Sequence, residues 1–246
     1  KKHRPSAKCL PGNRKAIHRG RNALALPEVY VSYIMDVLLL GASGQIGQRI
    51  ATELLDRGHA VTGVSRSGDT GGIDDPSFVA VAGDATDPDD VAKLATGHDA
   101  VASALGPDED TPPDVLVDMM DAVVDGMGRA SVERLVWTGG AGGLHVGPET
   151  RLVETEEFPE EWEPVARAAI DAYDRLAETQ DLAWTYVAPA ALIEPGERTG
   201  EYRTAEGELV ADEDGDSYIS MEDFAVAFVD ELESSDAVHT YLGTGY

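Results

Sequence analysis

Short apolar runs alternate with longer amphipathic segments along the chain from residue 35 onward. A short apolar run is typical of a strand buried on both faces of a sheet, whereas apolar residues at every third or fourth position favour a helix with one buried face. The predicted strands are Val37–Leu40, Ala60–Ser65, Phe78–Ala82, Ala100–Ser103, Leu135–Thr138 and Trp184–Val187. The predicted helices are Gln45–Arg57, Pro88–Ala95, Asp114–Met127, Pro164–Glu178 and Met221–Glu233.

This alternation predicts the fold class. Strands separated by helices form a parallel sheet with right-handed crossovers, so we predict an α/β fold with a doubly wound parallel sheet and helices on both faces. Residues 35–246 contain no internal repeat and no low-complexity linker, which favours a single domain. Such sheets bind ligands at the carboxyl ends of their strands. The functional loops are therefore expected after Leu40, Ser65, Ala82, Ser103, Thr138 and Val187.

Three glycines at three-residue spacing follow the first predicted strand and lead into the first helix. In that context the first glycine favours a tight turn, the second a close backbone approach to a pyrophosphate, and the third close packing of helix on strand. The start of the helix offers free N–H groups and a partial positive charge to phosphate. The alternative is a strand–turn–helix unit without a ligand. The predicted pyrophosphate-binding residues are Gly41, Ser43, Gly44, Gln45, Ile46 and Gly47.

The end of the second strand bears on which dinucleotide is bound. A carboxylate there suits the ribose 2′-hydroxyl of NAD, whereas arginine and small hydroxyls suit the 2′-phosphate of NADP. Here Arg66 stands between Ser65 and Ser67, and no carboxylate is present. We therefore predict NADP(H) as the preferred cofactor, with NAD(H) as the second choice. The alternative is that Arg66 is a solvated surface residue.

The ends of the third and fourth strands carry further candidates for the adenosine half of the ligand. Asp84 and Ala85 follow the third strand, where a carboxylate can accept a hydrogen bond from an adenine amino group. Asp84 is equally a candidate cap for a helix over Asp87–Leu94. Ser103 and Gly106 close the fourth strand with small residues that leave room for a ligand across the sheet.

The fifth strand ends in Thr138 and is followed by Gly139 and Gly140, with further glycines at 142 and 143. Such a run lets backbone approach a flat ligand closely, although a flexible turn is the alternative. Thr138 is a weak candidate for a hydroxyl near a nicotinamide ring. His145, just beyond, is either a proton relay or an exposed loop residue.

The charge balance is strongly acidic, with 46 Asp and Glu against 19 Lys and Arg. Carboxylates spread over most loops and helices are typical of haloarchaeal cytoplasmic proteins, because molar salt screens their repulsion. A binder of cationic partners is the alternative. So anionic a chain disfavours nucleic acid as a partner, and no apolar run approaches the ~20 residues that span a bilayer. Cys9 is the one cysteine and the histidines are scattered, so no metal site is predicted.

Residues 1–34 differ from the rest, because they hold eight of the 19 basic residues and one of the 46 acidic ones. They show no helical or strand periodicity, and Met35 stands directly before the first predicted strand. We interpret the segment as a leader: an upstream extension, a product of start-codon choice or a disordered tail. A targeting peptide is the alternative, disfavoured because Pro27 and Glu28 interrupt the apolar stretch.

Several motifs together resemble a known family over residues 35–246: the atypical short-chain dehydrogenase-like proteins with an NmrA-like NAD(P)H-binding domain, and among them the NADH-flavin reductases. The resemblance implies a Rossmann-like fold, a bound NAD(P)H, and hydride transfer to a flavin or similar planar acceptor. It also implies that the nicotinamide lies near Gly139, Gly140 and Pro189. The motifs begin at Gly41, Gly139, Phe158, Trp184, Pro195 and Ile219.

One departure from the short-chain dehydrogenase pattern bears on the reaction. Those enzymes use a Tyr-x-x-x-Lys pair as acid and base, and no such pair occurs here, since Lys93 is the one lysine after residue 34. Hydride transfer to a flavin or quinone needs no such pair, so we predict this activity, with FMN or FAD as a diffusible substrate. The alternatives are a non-catalytic NADP-binding redox sensor and a nucleotide-sugar epimerase or dehydratase. Tyr186 and Tyr202 are weak catalytic candidates, and Tyr202 either stacks on the acceptor or closes a loop over the core.

Overall fold

Eight strands of the chain form one sheet, which we describe from a computed structural model. The structure describes residues 34–69, 71–108 and 111–246, so the predictions for residues 1–33 lie outside it. The strands are β1 Asp36–Leu40, β2 Ala60–Ser65, β3 Phe78–Ala82, β4 Ala100–Ser103, β5 Arg134–Thr138, β6 His145–Gly147, β7 Thr150–Arg151, β8 Ala183–Ala188, β9 Leu192–Glu194, β10 Arg203–Glu206, β11 Tyr218–Ser220 and β12 Thr240–Gly245. The helices are α1 Gln45–Asp56, α2 Pro88–Ala95, α3 Val115–Ala130, α4 Glu163–Ala177 and α5 Met221–Ser234.

The strand order across the large sheet is β10, β12, β8, β5, β4, β1, β2, β3. All neighbours pair in parallel except β10, which runs antiparallel to β12 at the edge. The predicted doubly wound parallel sheet is thus confirmed, and the six predicted strands and five predicted helices all form. The short pairs β6–β7 and β9–β11, together with β10 and β12, were not predicted.

The core lies in two layers, one on each face of the sheet. Successive side chains of a strand point to opposite faces, so Leu38 packs with the layer under α2, α3 and α4, while Leu39 packs with the layer under α1 and α5. Both side chains are fully buried. Helices on both faces explain why the central strands are apolar at every position instead of at alternate ones.

The start of α2 corrects one prediction. The side chain of Asp87, not of Asp84, caps the helix, because Asp87 accepts a hydrogen bond from the Asp89 amide at 2.9 Å and directly precedes Pro88 in the first turn. Asp84 lies too far before the helix and instead accepts bonds from the amide and hydroxyl of Thr86, at 2.9 and 2.7 Å. Among the residues that the structure describes, no helix is both long and apolar enough to cross a bilayer.

Candidate functional site

The predicted site residues converge at the carboxyl edge of the sheet. Leu40 at the end of β1 pairs with Val64 of β2 on one side and Ser103 of β4 on the other. From β2 to β5 the edge spans three strand spacings, about 14 Å. The residues that the structure places along this edge are Gly41, Ser43, Gly44, Gln45, Ile46, Gly47, Ser65, Arg66, Ser67, Asp84, Ala85, Ser103, Gly106, Thr138, Gly139, Gly140 and Pro189.

The turn between β1 and α1 is tightly closed. Gly41 adopts φ 79°, and its N–H donates to the Val64 carbonyl at 3.1 Å. A Cβ on Gly47 would lie 2.1 Å from the carbonyl oxygen of Gly41, so the first turn of α1 rests directly on the loop. These contacts match the predicted tight turn at Gly41 and the close packing at Gly47.

The first turn of α1 presents free backbone donors. The first intrahelical bond runs from the Gln48 amide to the Gly44 carbonyl at 2.9 Å, and Gly44 supplies no side-chain cap. The Gly44 amide donates to the Gly41 carbonyl at 3.1 Å, but within the described part of the chain four neighbouring amides meet no acceptor. Free amides at a helix N-terminus bind anions, so this turn fits a diphosphate. The four amides belong to Ser43, Gln45, Ile46 and Gly47.

Two buried hydroxyls lie further along the same edge. Ser103 Oγ, on a residue with no exposed surface, and Thr138 Oγ1 have no hydrogen-bond partner among the residues described. They end the neighbouring strands β4 and β5, where Ser103 pairs with Trp137. Buried polar atoms are normally hydrogen-bonded, so these two are available to a polar ligand across the sheet. The free amides and the two hydroxyls together fit a dinucleotide.

The β2 end of this edge carries the exposed Arg66. The Arg66 side chain is 77% exposed and forms an ion pair with Asp108 in the loop after β4. Because β1 lies between β2 and β4 in the sheet, this ion pair crosses the end of β1. Hydrogen bonds from Thr86, followed by the nearby charge of Arg66, hold the pKa of Asp84 below its usual range. Ser65 donates to the Asp69 carbonyl at 2.7 Å, and Ser67 accepts from the Asp69 amide at 3.2 Å. Asp108 is a residue that no sequence motif singled out.

The tyrosines beside the glycine loop after β5 hold that loop in place. Tyr186 is 1% exposed, and its hydroxyl donates to the Ala169 carbonyl at 2.8 Å. Its ring lies so close under the chain that a Cβ on Gly139 would be 2.1 Å from it. Tyr241 of β12 donates to the Gly140 carbonyl. Burial raises the pKa of both hydroxyls, so they stay protonated. Tyr186 therefore has a structural role, and the prediction that it is catalytic gains no support.

Tyr202 and His145 also have structural contacts. The Tyr202 hydroxyl donates to Asp230 of α5, and its ring packs with the layer under α1 and α5. Burial and the Asp230 carboxylate raise the pKa of Tyr202, which agrees with loop closure and gives stacking on an acceptor no support. His145 lies half-buried in β6 instead of exposed, because β6 pairs with β7 and its amide donates to the Gly207 carbonyl at 2.9 Å.

The helix that follows β5 lacks an acid–base pair. Tyr173 of α4 lies in an aromatic cluster, its ring centroid 4.6 Å from that of Tyr241. Burial raises the pKa of Tyr173. The residue four positions after Tyr173, where the pattern would need a lysine, is Ala177, and Lys93 lies exposed on α2. The carboxyl edge of the sheet therefore has groups that fit a dinucleotide, but α4 has no Tyr–Lys pair to take a proton from a substrate hydroxyl.

A comparison with protein families matches residues 41–235 to the NAD(P)H-binding family. The chain belongs to that family. The match begins at the first glycine of the β1–α1 turn and runs nearly to the end of α5, so it covers the whole edge described above. The family membership identifies a nicotinamide cofactor as the ligand class and an oxidoreductase-like Rossmann fold as its frame.

Solved structures of the same NAD(P)H-binding fold resemble this chain over most of its length. A protein from Burkholderia pseudomallei is 46% identical with a TM-score of 0.80, covering 87% of this chain and all of that one. One from Bacteroides thetaiotaomicron is 34% identical with a TM-score of 0.80 over 87% and 98% of the two chains. One from Streptococcus pneumoniae is 32% identical with a TM-score of 0.75 over 86% and 99%. Their provisional names are an exported protein, an epimerase and an NADH-flavin reductase, respectively.

Proposed function

We propose that this protein is an NADPH-dependent oxidoreductase that transfers hydride to a flavin- or quinone-like planar acceptor. The observation that carries the proposal is the missing acid–base pair on α4. Alcohol oxidation and sugar epimerisation require a group that takes a proton from a hydroxyl, whereas a planar acceptor takes the hydride directly and its proton from solvent. The provisional name of the Streptococcus pneumoniae relative agrees with this reaction.

Each part of the edge has a role in this proposal. Bound NADPH supplies the hydride. The amides that open α1 hold the diphosphate, and Arg66 with the flanking serines takes the 2′-phosphate. Thr138 and Ser103 offer hydroxyls to the part of the ligand over β4 and β5. The glycine loop, supported by Tyr186, provides a surface without side chains on which two planar rings can be positioned.

We also propose that the protein works in the cytoplasm at high salt. The surplus of carboxylates over arginine and lysine supports salt adaptation, since molar salt shortens the screening length to about 3 Å. Experiments on the protein are therefore designed in molar KCl.

The reaction is tested by mixing the protein anaerobically with NADPH and either riboflavin or FMN in 2 M KCl. We expect absorbance at 340 nm to fall at a rate proportional to enzyme concentration. NADPH binding is measured in parallel by calorimetry. If NADPH binds tightly but no flavin or quinone oxidises it, the proposed enzyme activity is wrong and the redox-sensor alternative is favoured.

The cofactor preference is tested with Arg66→Ala. Because Arg66 already pairs with Asp108, we expect the net loss in NADPH affinity to be about tenfold, the lower end of a charge-assisted hydrogen bond. NADH affinity should change less than threefold, since NADH has no 2′-phosphate. The matched control is Arg175→Ala, which removes an exposed ion pair with Asp121 between α4 and α3 and should leave both affinities unchanged. Equal losses for the two cofactors in Arg66→Ala would contradict the assignment.

A further inference from the structure

One tryptophan differs from the other two in its surroundings. Trp137 and Trp184 are 1% and 3% exposed, whereas Trp162, directly before α4, is 52% exposed. The indole of Trp184 donates to the Thr179 carbonyl at 3.1 Å, whereas that of Trp162 has no such bond to a described residue. Tryptophan is on average highly buried in folded proteins, and its ring offers a large flat surface to a planar ligand.

The face of α4 that carries Trp162 lies against the glycine loop. Residues 162, 166 and 169 follow the spacing of one helix face. A Cβ on Gly142 would lie 2.8 Å from Ala166, and a Cβ on Gly140 would lie 3.6 Å from Ala169. Trp162 thus extends the loop-facing side of α4 by one turn. The helix follows β5 and runs back along the sheet, so this turn lies at the carboxyl edge, beside the proposed nicotinamide end.

The segment around Trp162 is strongly anionic. Residues 154–163 contain six glutamates and no lysine or arginine. Glu163 pairs with Arg167 at 2.7 Å, but the other five form no ion pair with a described residue, and all five are exposed. A ligand that approaches Trp162 therefore meets negative charge, which opposes a phosphate and does not affect an uncharged ring. The five are Glu154, Glu156, Glu157, Glu160 and Glu161.

We propose that Trp162 is the platform on which the acceptor stacks, and that the acceptor is an uncharged planar molecule such as a quinone or an unphosphorylated flavin. The inference rests on the proposed hydride transfer and narrows its substrate class. Among flavins it predicts riboflavin over FMN, because the two share one ring system and differ in a phosphate.

The platform is tested by binding, without turnover. Riboflavin is titrated into the NADP⁺-bound protein while the accessibility of tryptophan to acrylamide, a neutral quencher, is measured by fluorescence. We expect riboflavin to protect the exposed component, and Trp162→Phe to identify that component by removing it. If acrylamide still reaches Trp162 at saturating riboflavin, the platform is wrong even where hydride transfer occurs. If protection occurs without any NADPH oxidation, the platform stands and the proposed reaction fails.

Kinetics test the same residue. We expect Trp162→Ala to raise KM for riboflavin roughly 5- to 100-fold, the range produced by removing an aromatic stacking partner. Trp162→Phe should recover KM to within about threefold of the original, and NADPH affinity should change less than twofold in both variants. The matched control is Val79→Ala, an exposed apolar residue on β3 that should change nothing. An unchanged KM in Trp162→Ala would overturn the assignment.

The charge argument is tested with salt. We expect KM for FMN to exceed that for riboflavin severalfold at 0.2 M KCl and the two to approach each other at 2 M, provided circular dichroism shows the fold intact at both. Replacing Glu160 and Glu161 together with glutamine should narrow the difference at low salt. A preference for FMN at low salt, or a ratio independent of salt, would show that the acceptor is not selected by its lack of charge.

Discussion

The layer of α1 and α5 and the segment before α4 are both acidic, yet the structure treats their carboxylates in opposite ways. In the helical layer, Arg57 contacts Glu53, Asp230 and Glu233 at 2.8, 2.6 and 2.7 Å, and Arg198 contacts Glu53 at 2.7 Å. Before α4, the five exposed glutamates of the segment 154–161 form no ion pair with a described residue. Arg57 and Arg198 thus hold α1, the helix that we propose to bind phosphate, against α5 and the loop of Arg198, whereas the five glutamates have no such partner.

Glu53 shows why the helical layer needs its arginines. The carboxylate is 4% exposed, and burial acts to raise its pKa. Hydrogen bonds from Arg198 and Arg57 outweigh that effect and hold the pKa of Glu53 below its ordinary value. The Glu53 carboxylate therefore stays charged and joins α1 to the loop that holds Arg198. Its other partner, Arg57, joins α1 to Asp230 and Glu233 of α5.

The largest effect that separates the two regions is expected for Glu53→Ala. The change removes the carboxylate that pairs with both Arg57 and Arg198, while Arg57 keeps Asp230 and Glu233 and Arg198 is half exposed to solvent. We therefore expect the free energy of unfolding in urea at molar KCl to fall by about 2 kcal/mol, less than for a fully buried pair. Glu160→Ala, its counterpart in the unpaired segment, should stay within about 0.5 kcal/mol of the original protein. A loss below about 1 kcal/mol for Glu53→Ala would mean that the two sets of carboxylates are energetically alike.

A smaller effect is expected for Tyr202→Phe. Tyr202 packs in the helical layer and its hydroxyl meets Asp230, so removing the oxygen should lower the free energy of unfolding by about 1 kcal/mol. NADPH oxidation should keep its rate and its KM for riboflavin, since we place the acceptor on Trp162 across the edge. A tenfold rise in KM for riboflavin with an unchanged free energy of unfolding would show that the acceptor binds at Tyr202 and that this residue has no structural role.

The central strands and helices could be predicted because their patterns are local. The bounds of α1 and α4 differ from the predicted ones by a single residue at each changed end, and β2, β3, β4 and α2 match the predicted ranges. The spacing of apolar residues predicts strands and helices, and the spacing of glycines predicts the β1–α1 turn, and each pattern extends over only a few residues. The convergence of the site loops followed from the parallel topology alone.

The last strand of the sheet was missed for a reason that the structure makes clear. The segment Thr240–Gly245 contains two glycines, which weaken any strand pattern. A Cβ on Gly243 would lie 2.3 Å from the Glu208 carbonyl oxygen, and one on Gly245 would lie 2.9 Å from the Val210 side chain. The glycines are needed because the backbone around Glu208 and Val210 packs directly against β12. A contact between segments so far apart in the chain cannot be predicted from a local sequence pattern.

The candidate site was predictable as a set of positions but not as a set of contacts. Tyr186 looked available for chemistry, yet its hydroxyl is held by the Ala169 carbonyl, a partner 17 residues away. Arg66 was noticed as a free cation, whereas it pairs with Asp108 across the end of β1. Trp162 was visible only as part of a motif, because its exposure depends on how α4 begins. Each of these facts depends on contacts between separate elements.

The closeness of Gly47 to the Gly41 carbonyl has a consequence for how a ligand arrives. With no gap between the helix and the turn beneath it, the two cannot shift independently, and the four N–H directions at the mouth are set beforehand. If the diphosphate binds there as we propose, its site is formed before the ligand arrives, and the loop loses little conformational freedom on binding.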